Sequence, residues 1–394
     1  MSLLDYFFKK AESKTVIQKL NIEPSNGFGL FGGDAYANDI YRSAIDAISK
    51  QIGKLKGSHI INSNNKKHSG DCALNTLLQC RPNPLLSAYD FLYLLSTHLF
   101  LHNTSYTLIQ RNGRNITGFY PIMVSSAEFL TDASNTLYAR FNVDGKQYVF
   151  PFSDLIIIKR HQNSSLYKGD SNMALNPALQ LAETQNDGII NGIKSSASIR
   201  GILKYNGMLN SEDLVKYKNR FIEEYLSNEN TIIALNSNSD YIPLNSNPIL
   251  LDAEQSNQVK TKIFNYLGIN ENIINGSYDE NTFQAFYKST IEPIAIQLSQ
   301  EFTAKVFTPR ERQFGNSIVF ESDHLNFMNN STKVNYIKEL MVLGLLSTNE
   351  ARAIMNLEPI ENDRFLQTLN VANTAIVDNY QLKENNRGLD NERV

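Results

Sequence analysis

Between residues 104 and 160 the chain alternates in the way that paired strands require. SYTLIQ runs into Asn112-Gly113 and then ITGFYPI, and LYARFNV runs into Asp144-Gly145 and then KQYVF. Asn-Gly and Asp-Gly supply the left-handed backbone that tight hairpin turns demand, so each pair of runs is predicted to fold back as a β-hairpin. Helical periodicity precedes them. A helix is predicted over 37–55, with Ile40, Ala44, Ile48, Ile52 and Leu55 on one stripe, and a helix-rich stretch runs from 72 to 102. Residues 3–20 read as an N-terminal helix and 27–33 as a Gly-rich loop. Together these read as one α+β domain.

The segment beyond it has a different character. PALQLAETQNDGIINGIKSSAS, from Pro177, is helical in its lack of breakers other than glycine, yet polar on nearly every face. Such a helix has little to bury alone. Gly188 and Gly192 lie one turn apart with Ala182, Ser195 and Ser196 nearby, so one face either admits the backbone of a neighbouring chain or is a surface that tolerates two glycines. Residues 199–247 read as a small β-α-β insertion: strand SIRGILKY, helix SEDLVKYKNRFIEEYLS, strand NTIIAL. A second helix is expected over 252–267, then a loop, then a helix over 281–305 that bends or restarts at Pro293, then the strand NSIVFES.

Near the C-terminus, GLLSTNEARAIMNLEP encodes a helical hairpin. Val334, Ile337, Leu340 and Met341 keep helical spacing and Gly344 suits a left-handed cap. Ser347-Thr348-Asn349-Glu350 fits a capping box, in which Ser347 accepts from the amide of Glu350 while Glu350 accepts from the amide of Ser347. Ala353, Ile354 and Leu357 continue a stripe that Pro359 is expected to end.

Several function classes are excluded by what these residues lack. No GxxxxGK[ST] phosphate loop and no HExxH occurs. Gly27, Gly29 and Gly32 make a G-x-G-x-x-G match, but the preceding NIEPSN does not read as a buried strand, so the Gly27–Gly33 loop is a flexible arm or, remotely, a nucleotide site. His98 and His102 stand one turn apart with no acid between them, unlike a zinc-peptidase pair. Neither a catalytic residue nor a cofactor or metal is expected, and the chain reads as a non-enzyme. Cys72 and Cys80 are too few and too distant for a CxxC pair, and fit a reduced compartment. No apolar run approaches the ~18 residues that cross a bilayer, and MSLLDYFFKK is unlike a signal peptide, so a soluble chain made in the cytoplasm is expected. A net charge of −3 argues against a strongly basic nucleic-acid clamp.

The order of these features resembles the portal proteins of tailed bacteriophages. LLQCRPNPLLSAYDFLYLLSTHLFLHNTSYTLIQRNGR is similar to that family's stretch built on PNP, with Pro82-Asn83-Pro84, Phe91, Tyr106, Arg111 and Gly113 in the matching places. LNPALQLAETQND resembles the start of the family's stem, and IFNYLGINENIINGSYDENTFQAFYKSTIEPIAIQLSQEF its tunnel region. GLLSTNEARAIMNLEP resembles its closing motif through Gly344, Asn349, Glu350, Ala351, Arg352, Leu357 and Pro359. The resemblance runs from about residue 40 to 365, with departures at His102-Asn103-Thr104 and Ile269-Asn270.

The resemblance implies a portal fold: N-terminal arm and α+β wing at 1–175, stem helices at 176–198 and 248–267, a small α/β clip at 199–247, a tunnel loop at 268–280, a returning wing helix and strand at 281–325, an α-helical crown at 326–370 and a polar tail at 371–394. It implies a homo-oligomeric ring of about twelve chains at one capsid vertex of the virion, passing double-stranded DNA non-specifically in packaging and ejection. Its implied partners are terminase, a head-tail adaptor, and the major capsid and scaffold proteins, with no membrane. The expected site residues are Asn272, Asn275 and Ser277 facing the DNA channel; Arg200, Lys204, Lys216, Lys218 and Arg220 for docking at the clip; Gly188 and Gly192 for packing between stems; and Ser347 and Glu350 capping the crown hairpin. Lys194 joins the clip cations, and Glu212 and Asp213 oppose them. A head-tail adaptor or minor capsid protein is the alternative from the same virion class.

Overall fold

The computed structural model describes residues 18–19, 35–63, 66–143, 145–196, 201–205, 212–213, 215–216, 219, 239–243, 253–322, 330–361 and 363–367. They fall into two compact units, Met1–Ser277 with Phe286–Phe320, and Tyr278–Ala285 with Glu321–Val394. The expected 281–325 segment is therefore divided between them.

In the first unit, β1 (Gln18–Lys19) pairs antiparallel with Leu130 and Thr131. This corrects the helix expected over 3–20 at its end: a neighbouring strand offers ladder hydrogen bonds there, and pairing wins over helical spacing. The rest of that segment and the Gly27–Gly33 loop lie outside the described residues. Helix α1 (Asp39–Gly53) starts where the Asn38 side chain accepts from the Tyr41 amide at 3.1 Å. Its apolar stripe, Tyr41, Ala44, Ile45, Ile48 and Ile52, is fully buried. Strands β2 (Lys56–Ser63) and β3 (Lys66–Ser69) form a hairpin, followed by α2 (Cys72–Gln79) and α3 (Ala88–His102), whose Leu92, Leu95 and Leu99 are buried to about the same degree as the α1 stripe they pack against.

The two expected hairpins form. In β4 (Thr104–Asn112) and β5 (Asn115–Ile122), Asn112 lies opposite Asn115, so the turn is Gly113-Arg114, one residue later than expected, with Gly113 at φ 62°. A register shift between Gln110 and Arg111 absorbs the offset. After β6 (Ser126–Thr131), strands β7 (Leu137–Val143) and β8 (Lys146–Pro151) pair with Val143 opposite Lys146, and Gly145 ahead of β8 is left-handed at φ 77°. With β9 (Leu155–Lys159), the order is β1-β6-β7-β8 in one sheet and β5-β4-β9 in another. Their inward residues, including Tyr106, Phe129, Phe141, Phe150 and Ile157, form one apolar cluster.

Helix α4 (Asn176–Ser196) packs on α5 (Ala253–Leu267), and α5 on α1. Between them β10 (Gly201–Tyr205) pairs with β11 (Ser239–Pro243), whereas the predicted partner strand NTIIAL lies outside the described residues. The segment expected as a loop at 268–280 contains a helical turn, α6 (Glu271–Ile274), because Asn270 accepts from the Ile273 amide at 3.0 Å and Ile273 is buried. Next come α7 (Glu280–Phe286), a π turn (Tyr287–Ile291) and α8 (Glu292–Val306). Pro293 has no amide hydrogen and crowds the carbonyl four residues back; the wider π turn directly ahead accommodates it. A short α9 (Pro309–Gln313) leads into β12 (Asn316–Glu321), which joins β2 and β3 in the order β12-β2-β3.

The second unit holds α10 (Asn330–Val342), β13 (Leu343–Ser347), α11 (Thr348–Ile354) and β14 (Phe365–Gln367), with β13 and β14 antiparallel. Gly344 sits at φ 67°. Helix α11 ends at Ile354, ahead of the expected Pro359, with Asn356 just beyond it left-handed at φ 56°. A left-handed residue ends the helix by turning its amide hydrogens onto the last carbonyls, and the Leu357 amide donates to the Arg352 carbonyl at 2.8 Å.

Candidate ring and channel surfaces

The motif residues of the first unit are there because they tie elements together. Asn83, buried between two prolines, donates to the Phe119 carbonyl at 2.8 Å and accepts from the amides of Leu85 and Leu86, both at 2.9 Å. The Phe119 amide donates back to the Pro82 carbonyl at 2.8 Å. The α2–α3 turn is thereby stitched to β5. Arg111 donates to the Lys305 carbonyl at 2.7 Å and pairs with Asp154 at 3.4 Å. Phe91 and Phe302 meet edge to face, with centroids 6.5 Å apart.

Where α3 gives way to β4, Asn103 is fully buried and left-handed at φ 54°. Its amide donates to the Asp170 carbonyl at 2.8 Å and to Asn172 Oδ1 at 2.6 Å. Asn172 also accepts from the Tyr266 hydroxyl at 2.6 Å and donates to the carbonyls of Phe100 and Leu101. One buried amide cluster therefore holds the end of α3, the start of α4 and the end of α5. The sequence reading named Asn103 only within a departure from the portal pattern and did not single out Asn172 or Tyr266.

Helix α4 leaves this anchor and becomes exposed. Leu175, Leu179 and Ala182 are buried, whereas Leu181, Ile189, Ile190 and Ile193 are 40–61% exposed. Gly192 is buried within the chain and Gly188 is exposed, so the two expected packing glycines do not share one environment. At 268–277, Asn272, Asn275 and Ser277 are exposed, and the Ser277 amide donates to the Asn272 carbonyl at 2.9 Å. Of the clip cations, Lys216 is exposed and pairs with Asp213 at 3.7 Å, Lys204 lies on β10, Lys194 lies in α4, and Arg200, Lys218 and Arg220 lie outside the described residues. In the second unit, Ser347 Oγ accepts from the Glu350 amide at 3.2 Å while Glu350 Oε2 accepts from the Ser347 amide at 2.8 Å, the two bonds of a capping box.

His98 is buried, with Nδ1 lacking a hydrogen-bond partner, and burial together with nearby His102 pulls its pKa down to about 4. It reads as a packed neutral histidine. Among the described residues no group of three or more His, Cys, Asp or Glu side chains is placed to hold a metal, and no helix is long and apolar enough to cross a membrane.

A family model described as "Phage portal protein" matches residues 39–356. A "Probable portal protein" of Lactococcus phage p2 is 25% identical over 186 residues, 44% of this chain and 49% of the relative, and one of Lactococcus phage SK1 matches to the same extent. The chain thus spans about half the length of the curated relatives it matches. Among solved structures, the neck of an empty gene transfer agent particle has a TM-score of 0.60 at 15% identity, covering 83% of this chain and 92% of that one. The neck of the native particle, computed with C12 symmetry, gives 0.58 at 16% identity over 83% and 92%. An HK97 family phage portal protein from Corynebacterium diphtheriae gives 0.51 at 12% identity over 77% of this chain and 98% of that one. These likenesses place the mixed helix and sheet described above among portal folds, and with the family match covering most of its length, the chain belongs to the phage portal protein family.

Proposed function

We propose that the chain assembles into a closed ring at one vertex of a phage capsid and forms the channel through which double-stranded DNA enters during packaging and leaves during ejection. Its role is structural, with the driving energy supplied by a terminase docked on the ring. The family match across residues 39–356 carries this reading. The likeness to a neck computed with C12 symmetry supports a ring of that order. The stem helix supports it independently: four large apolar side chains on α4 are exposed in the single chain, and a neighbouring copy would remove them from water.

In this reading 1–175 with 281–325 is the wing, 176–198 and 248–267 the stem, 199–247 the clip, 268–280 the tunnel segment and 326–370 the crown. Asn272, Asn275 and Ser277 offer DNA short polar groups without full charges. Such groups bond phosphates and release them quickly, because each neutralised phosphate would otherwise steepen affinity. The clip cations, Arg200, Lys204, Lys216, Lys218 and Arg220, form a docking surface for terminase or the head-tail adaptor, since across 194–220 they outnumber the acids. The major capsid and scaffold proteins are further partners in this reading. Negative-stain imaging of the purified full chain tests the proposal. Particles of about twelve copies around a central hole are expected; monomers at every concentration, or open filaments, would overturn it.

A further inference from the structure

A concavity of about 350 Å³ opens between the end of β9, the end of α5, the π turn and the start of α8. Its walls include Phe100, Lys159, Arg160, Ser289, Thr290 and Gln297, and no aspartate or glutamate lines it. Arg160 lies with its guanidinium carbon 4.0 Å from the centre of the Phe100 ring. Its Nη2 donates weakly to the Tyr266 carbonyl at 3.4 Å, and its Nη1 is buried with no hydrogen-bond partner. Lys159 donates to the Leu166 carbonyl at 2.9 Å and lies in the field of Glu301, whose charge Lys305 also faces. Among the described residues no carboxylate acts on Arg160 in this way: burial lowers its pKa to about 10, and burial together with the Arg160 charge lowers that of neighbouring His161.

A largely buried guanidinium at the wall of a concavity, with one donor unused, is expensive unless an anion arrives. Arginine's planar fork suits a carboxylate or phosphate edge, and the side-chain amide of Gln297 adds a neutral donor on the same wall, whereas the hydroxyls of Thr290 and Ser289 already donate to the carbonyls of Gly268 and Phe286. We propose that this concavity is an oxyanion-binding site, in which the charge of Arg160 and the side-chain amide of Gln297 draw in a carboxylate or phosphate oxygen. Four walls leave room for a small anion or one acidic side chain, not for a DNA duplex. The oxygen therefore comes from a dissolved anion or from an acidic side chain of a second copy of this chain. The second source rests on the ring proposed above; the first does not.

Two variants separate these sources. Arg160→Met removes the cation. Gln297→Glu supplies an internal carboxylate while keeping the acceptor that the Lys159 amide uses at 3.1 Å. The full chain, diluted until mass photometry shows single copies, is melted in sodium phosphate and in sodium acetate against chloride at equal ionic strength. A saturable rise in Tm in the unaltered chain, absent from both variants, establishes the site with a dissolved anion. No rise, but a midpoint for assembly that moves to about tenfold higher concentration or more in both variants while single-copy Gln297→Glu melts no lower than the unaltered chain, establishes the second copy as the source. An equal response in all three proteins, since phosphate stabilises folded chains generally, together with unchanged assembly, overturns the proposal, as does a Gln297→Glu chain that melts well below the unaltered one. If no ring forms under any condition, the melting comparison still decides the site while the ring proposal fails separately.

Discussion

His98 shows how a single buried group couples this fold to pH. Its ring is held neutral by burial and by His102, with a pKa near 4 in place of 6.5. The unfolded chain therefore takes up a proton at a pH where the folded chain does not. Stability attributable to this residue is complete above about pH 6.5 and is lost as pH falls toward 4, amounting to about 3 kcal/mol at the acid end. His98→Gln is expected to flatten that fall, measured by urea denaturation at pH 7 and pH 4.5; parallel slopes for the two proteins would show that His98 charges freely in the fold. Residue-level reading also separates what was legible from what was not. Asn83 stood out as part of Pro82-Asn83-Pro84, and its three hydrogen bonds give that motif a physical reason. Asn103 showed only as a departure from the portal pattern, and Asn172 and Tyr266 did not stand out, because their cluster joins positions up to 163 apart in sequence, and no local period encodes such a meeting.

Among elements, the helices and hairpins with an apolar period were read nearly to the residue, whereas β2 was passed over. Its two most buried residues are Gly57 and His59, so the inward face carries no apolar alternation. His59 instead accepts from the Asp71 amide at 2.8 Å and meets Asn316 at 2.9 Å, a polar seam that holds β2 to α2 and β12. The capping box ahead of α11 was legible because it is a local pattern. Glu350→Ala removes one of its bonds and is expected to cost roughly 0.5–2 kcal/mol, lowering the unfolding midpoint of the second unit while leaving ring assembly intact; loss of assembly would make this hairpin a contact between copies. On α4, Gly192 is already buried in the single chain, so Gly192→Leu should lower the Tm of dilute chain as well as ring yield. Ile189→Glu, at an exposed position, should lower ring yield alone. Equal ring yields by size exclusion for Ile189→Glu and the unaltered chain would remove α4 from the contact between copies.

At the scale of the whole molecule, the family and its fold were legible from four motifs in order, and the assembly follows only by proposal. The segment 268–280 was read as an open loop, yet Ile273 is buried and Asn270 caps a helical turn. Its polar side chains are displayed from a fixed turn. A double variant, Asn272→Lys with Asn275→Lys, would place two cations per copy along the proposed channel, and each phosphate so neutralised deepens the trap for a moving polyanion. Rings should form normally while DNA per filled head falls; full heads at the usual rate would place this segment away from the passing duplex.

The β4–β5 turn offers a way to count copies. At Gly113 an added Cβ would meet nothing within 4 Å, and the turn is two residues long with an exposed Arg114. Exposed tips of this kind accept inserted sequence without disturbing the strands that carry them. A short epitope spliced between Gly113 and Arg114 should leave folding unchanged and give every copy one handle at an equivalent radius. Antibody fragments bound to those handles would decorate a particle viewed end-on like marks on a dial, and the number of marks would give the stoichiometry directly.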